Sequence, residues 1–185
     1  MDEQLRWPLP FNNDAGNEMV YRTFALGGRL YAVGFEKVNS RPDFTFKGGD
    51  ILKVHPAFQC SRHGLWAIIF DEIDPESIDF KGFSHIHHAG LSGGRVLFNV
   101  ACIILEHYDV ARPGGYVFSA ATDLQHSRQT DLAELYCRAL GLDGYPKSRL
   151  FTTLFKGWQA FSNSATGGRD YVVTTHYTTP TYVDL

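Results

Sequence analysis

One thirteen-residue stretch gathers most of the residues able to do unusual chemistry: Phe83-Ser84-His85-Ile86-His87-His88-Ala89-Gly90-Leu91-Ser92-Gly93-Gly94-Arg95. Its three glycines let a backbone turn tightly and come close to a ligand. A helix that starts there presents unpaired N–H groups and a partial positive charge, which together suit a phosphate. Arg95 adds a full charge. The same residues also suit a polar loop whose glycines only shape a turn. The histidines suggest a metal. On a strand, His85 and His87 face the same side and two imidazoles can chelate one ion. A zinc site needs more, and the third ligand would come from His55, His63, His126 or a carboxylate. The spacing is not the i, i+4 pair of a helical zinc motif. A metal-dependent hydrolase built on His85 and His87 is therefore the minor reading, and no bound metal is expected.

There is no C-x-x-C pair. Cys60 lies near His63, but closeness in sequence does not make a catalytic pair. Cys102 and Cys137 sit within apolar helical stripes and are expected to be buried thiols. Three widely spaced cysteines point to a reducing compartment rather than a disulfide framework. The expected location is cytoplasmic. The first residues, Met1-Asp2-Glu3-Gln4, lack the apolar region of a secretory signal.

The glycine stretch must be held by the elements around it. Residues 1–18 carry Pro8, Pro10, Asn12, Asn13, Asp14 and Gly16 and read as an irregular arm. Residues 19–185 read as a single α+β domain. Val20 to Leu26 and Leu30 to Val38 alternate around Gly27-Gly28, which predicts a β-hairpin. Short strands are expected at Phe44 to Phe46 and Ile51 to Val54, and Ile78 to Phe83 reads as a connector or a short strand. Leu65 to Phe70 is a continuous apolar run ended by Asp71-Glu72, and reads as a buried central strand. The spacing predicts a helix over Gly93 to Tyr108 with Ser92 as its N-cap. A strand follows at Tyr116 to Ala120. A second helix is expected over Gln129 to Leu140, started by Ser127 or Thr130 and ended by Gly141. Leu150 to Phe155 and Tyr171 to Tyr177 read as late strands. The whole is an α+β fold: a mixed, mainly antiparallel sheet with two main helices and a β-α-β-α-β second half.

Composition limits the partners. The chain has 185 residues, of which 44% are apolar and 20% charged, enough for one packed core. Its net charge of −3 gives no overall attraction to nucleic acid or to an anionic membrane. No run of 18 apolar residues suggests a membrane span. Arg128, Arg138, Lys147 and Arg149 make a local basic face. It is either a solvated surface or a contact for phosphate or an acidic protein.

The order of elements resembles the Gcn5-related N-acetyltransferase (GNAT) fold over residues 20 to 155. That family opens a long helix with a loop of pattern Gln/Arg-x-x-Gly-x-Gly/Ala, which holds the pyrophosphate of acyl-coenzyme A. The matching stretch is His87-His88-Ala89-Gly90-Leu91-Ser92. His87 stands in the Gln/Arg place, Ser92 in the Gly/Ala place, and Gly90 matches. Leu135-Tyr136-Cys137-Arg138-Ala139-Leu140-Gly141-Leu142 is similar to the family's Leu-Tyr-x-x-x-Gly-Phe ending, with one extra residue. In character the chain resembles small GNAT-like proteins of phages and mobile elements. The resemblance implies acetyl-coenzyme A held by His87, Ala89, Gly90, Ser92, Gly93, Gly94 and Arg95. It implies Tyr136 as the proton donor to the departing thiolate, and Asp71 or Glu72 as a base acting on an amine through water. The acceptor would be a small-molecule or protein amine. It equally admits a catalytically silent binding or inhibitor protein that acts on a macromolecular partner. A packed, hydrogen-bonded Tyr136 and solvated Asp71 and Glu72 are the alternatives at those positions.

Overall fold

The computed structural model describes residues 11–13, 19–39, 63–74, 76, 91–120 and 131–175. Seven strands form one sheet: β1 (Asn12–Asn13), β2 (Met19–Leu26), β3 (Arg29–Val38), β4 (Leu65–Ile73), β5 (Gly115–Ser119), β6 (Gln159–Ser162) and β7 (Asp170–Thr174). Their order across the sheet is β1-β2-β3-β4-β5-β7-β6. β4 and β5 are parallel and every other pair is antiparallel. Among the described residues three α-helices accompany the sheet: α1 (Leu91–Ala111), α2 (Leu132–Leu140) and α3 (Arg149–Leu154). The fold is α+β with a mixed, mainly antiparallel sheet, as the sequence predicts.

Alternation decides which side chains face the helices. Phe24 of β2, Tyr31, Val33 and Phe35 of β3, Tyr116 of β5, and Tyr171 and Val173 of β7 lie in one core with Val96, Ile103, Leu132 and Leu140 of the helices. The cross-strand partners Phe24↔Tyr31, Val33↔Phe70, Phe35↔Ile68 and Phe118↔Tyr171 keep this set on one face. The other face carries a smaller cluster of Val38, Leu65, Ala67, Val117 and Val172. β4 thus buries apolar groups on both faces, which is why it reads as an unbroken apolar run. In the hairpin turn, Gly27 and Gly28 have φ of 61° and 77°, which the primed turns require.

Several boundaries differ from expectation, each for a local reason. α1 starts at Leu91, so Ser92 lies inside its first turn and is not the N-cap. It runs on to Ala111, where Arg112 takes a left-handed φ of 49° and Pro113 cannot continue the ladder. α2 starts at Leu132, three residues later than expected, because Asp131 accepts a hydrogen bond from Ala133 N–H and caps it. Two bonds from Arg169 hold that carboxylate, at 2.6 and 2.9 Å. The expected strand at Leu150 to Phe155 is helix α3. Ser148 Oγ accepts from Phe151 N–H and donates to Ala139 C=O, and this cap outweighs the strand preference of Phe and Thr. β6 was not foreseen, since four residues carry too little alternation.

The arm also contributes to the core. Phe11 is buried against Phe35 and His107, and β1 pairs with β2. Cys137 is buried as expected, whereas Cys102 is half-buried. The short strands expected at Phe44 to Phe46 and Ile51 to Val54, and the connector or short strand at Ile78 to Phe83, lie outside the described residues. Among the described residues no helix is long and apolar enough to cross a membrane.

Candidate active-site cleft

The parallel pair sets up the site. β4 and β5 share three register pairs: Leu65↔Gly115, Trp66↔Tyr116 and Ala67↔Val117. Gly115 permits the close approach, because a Cβ there would lie 2.9 Å from both Leu65 Cδ2 and Val173 C=O. Beyond Ala67, β4 continues on β3 as far as Ile73, while β5 continues on β7. Two parallel strands that stop pairing leave a crevice at their carboxyl ends, where open α/β sheets bind ligands.

An apolar cleft occupies this place, on the helix face of the sheet. Its walls are Ile68 and Phe70 of β4, Phe118 and Ser119 of β5, and Leu97, Val100, Ala101 and Ile104 of α1. Leu132, Tyr136, Ala139 and Leu140 of α2 and Leu150, Phe151 and Phe155 near α3 complete it. The cavity measures about 150 Å³. The α1 residues fall at i, i+3, i+4 and i+7, one stripe of a helix. In the sequence this stripe cannot be told from an ordinary core face, which is why these residues were not foreseen as a site.

Tyr136 is the predicted catalytic residue that the cleft contains. Its ring meets Phe118 and Tyr171 edge to face, at centroid distances of 5.4 and 5.5 Å. Burial pushes its pKa up to about 12, so the phenol keeps its proton at neutral pH. Among the described residues its hydroxyl has no hydrogen-bond partner.

The two carboxylates part company. Both belong to β4 itself, which runs to Ile73, and so neither lies past the strand's end. Successive strand residues face opposite ways. Glu72 shares the face of Ile68 and Phe70, next along from the cleft, while Asp71 points to the other face. Both Glu72 oxygens accept from Arg29 Nη1 at 2.9 Å, which fixes the carboxylate as an acceptor.

At the start of α1, Gly93 is half-buried and Gly94 and Arg95 are exposed. A Cβ on Gly94 would meet nothing within 4 Å, so the backbone there is open to approach. The first turn carries no acidic residue to compete for its N–H groups. These features fit a phosphate group. Ser92 is in the helix, and His87, Ala89 and Gly90 lie outside the described residues, as do His85 and His88. Among the described residues no three His, Cys, Asp or Glu side chains gather as a metal site.

A histidine that sequence reasoning passed over lies further along α1. His107 is buried; its Nδ1 is 2.9 Å from Tyr116 Oη, and its ring stacks on Phe35 at 4.0 Å. Burial pushes its pKa down to about 4.

Fold and cleft define an α+β domain with an apolar crevice where, among the described residues, the parallel pair β4 and β5 part. Compared with protein-family models, curated proteins and solved structures, the chain matches none.

Proposed function

We propose that the chain is a GNAT-like, acyl-coenzyme A-dependent N-acyltransferase, with acetyl-coenzyme A as the simplest donor and an amine as acceptor. The observation that carries this reading is the meeting of a protonated tyrosine with an apolar crevice where β4 and β5 stop pairing. The sheet order, with a long helix joining its two parallel strands, also supports it. The N–H groups of Leu91 to Gly94, with Arg95, would hold the pyrophosphate, and His87, Ala89 and Gly90 belong to the same loop in sequence. The cofactor supplies an acyl group activated as a thioester.

The chain's part is orientation and proton movement. The amine nitrogen bonds to the thioester carbonyl carbon, and the carbon–sulfur bond then breaks. Tyr136 gives its proton to the departing sulfur. Glu72 takes the amine's proton through water, being the candidate carboxylate on the face of the cleft. Asp71, on the opposite face, has no direct part in this arrangement.

Calorimetric titration with acetyl-coenzyme A tests the reading. Gly90→Asp puts a carboxylate where phosphate must come close, so affinity is expected to fall at least tenfold, or about 1.4 kcal/mol. Absence of binding by the native chain at millimolar cofactor would sink the transferase and favour a binding protein for a macromolecular partner.

A further inference from the structure

The cleft does not end at Tyr136. A second compartment of about 70 Å³ continues from it, sharing Ile68, Ile104, Phe118, Leu140, Phe151 and Phe155. It runs in along β5 to Tyr116, Trp158 and Val173, which are all buried. The two ends differ in chemistry. Tyr136 offers its hydroxyl at the outer compartment, whereas Ser119, which follows Phe118 on the strand and so faces the other way, donates its hydroxyl to Asp170. At the inner end, the Tyr116 hydroxyl is bonded to His107.

We propose that this cleft takes a medium-chain aliphatic acyl group, with its carbonyl end toward Tyr136 and its methyl end toward Trp158. That the group arrives as a coenzyme A thioester rests on the acyltransferase reading; that the cleft takes an aliphatic chain rests on the cleft itself. Along α1 the wall from Leu97 to Ile104 spans seven residues, or about 10 Å. An extended chain advances roughly 1.25 Å per carbon–carbon bond of about 1.5 Å, so about eight carbons fill that length. An acetyl group would leave the inner compartment empty, and unfilled apolar space forfeits contacts.

The test is calorimetric titration of the full chain with acetate, butanoate, hexanoate, octanoate and dodecanoate, and with acetyl- and octanoyl-coenzyme A. Affinity for the free acids should rise about fourfold per buried methylene up to octanoate and then level off. Ala139→Trp should weaken octanoate at least tenfold by filling the cleft. Ala139→Leu, a smaller change, should weaken it severalfold and serves if the tryptophan variant does not fold. Affinity independent of chain length, or octanoate binding unchanged in the folded variants, overturns the proposal. Octanoate binding with no gain from coenzyme A sinks the transferase and keeps the acyl site. Equal binding of both thioesters, with no free acid bound, does the reverse. Binding of none of them sinks both.

Discussion

Helix α1 buries Val96, Ile103 and Tyr108 in one core, yet its two halves meet the sheet differently. Toward the C-terminal end, His107 stacks on Phe35, meets Trp66 edge-on and bonds Tyr116. Glu106 pairs with Arg22, which is 2% exposed, through two bonds of 2.7 and 3.2 Å. Arg22 also lies 4.1 Å over the Phe11 ring. Toward the N-terminal end, Leu97, Val100 and Ala101 face a cavity. A tightly packed core costs free energy when perturbed and has no room for a ligand. Polar groups at the sealed end already have protein partners. At the open end, the Tyr136 phenol has no hydrogen-bond partner among the described residues, as the proposed proton donor requires.

The largest stability effect is expected at the sealed end. Glu106→Ala removes the carboxylate that compensates a buried guanidinium, and should cost about 3–4 kcal/mol in urea unfolding. A loss under 1 kcal/mol would mean that Arg22 is held mainly by its other contacts. His107 should give the same end an acid sensitivity. Its folded pKa of about 4 lies below the ordinary 6.5. Between those values the unfolded chain binds the proton and the folded one does not, so acid favours unfolding. Stability should be full above about pH 6.5 and fall toward pH 4, by about 3 kcal/mol from this residue. His107→Phe should flatten that part of the profile relative to the native chain. Equal slopes for both proteins would show that His107 takes up its proton without unfolding.

Gly141 lies between the two extremes. Its φ is 72°, and a Cβ would meet the Lys147 backbone at 2.6 Å. Gly141→Ala should cost about 2 kcal/mol, from left-handed strain and displacement of Lys147 together. A melting temperature unchanged by the substitution would show that the turn after α2 relaxes freely.

How much of this could be read beforehand depended on whether the deciding interaction was local. The hairpin was legible because Gly27-Gly28 and the alternation around it are neighbours in sequence. Gly141 was legible as a helix end for the same reason. Helix α3 was not, because Ser148, which caps it through Phe151 N–H, is itself held by Ala139 C=O across a turn. The cleft was legible only at Tyr136. Its other walls come from three helices and two strands, and each looks like core on its own. The separation of Asp71 from Glu72 follows from strand alternation, once β4 is known to continue to Ile73. The pairing of Glu72 with Arg29 links residues far apart in the chain, and no spacing reports it.

Tyr136→Phe should have the smallest effect on stability and the most telling effect on function. The ring keeps its edge-to-face contacts with Phe118 and Tyr171, and among the described residues the hydroxyl leaves no hydrogen-bond partner stranded when removed. The expected cost is under about 0.5 kcal/mol. Donor binding should hold within about twofold, since the apolar walls and the α1 N-terminus are untouched. Turnover should drop about a hundredfold, the low end for losing a general acid. The open end would then be distinguished from the sealed one by response as well as by shape. A polar deletion at one end should destabilise the protein, and at the other it should slow the proposed reaction. If the phenylalanine variant instead loses more than 2 kcal/mol, the hydroxyl supports the fold. Tyr136 would then resemble Tyr116, and the contrast between the two halves of α1 would fail.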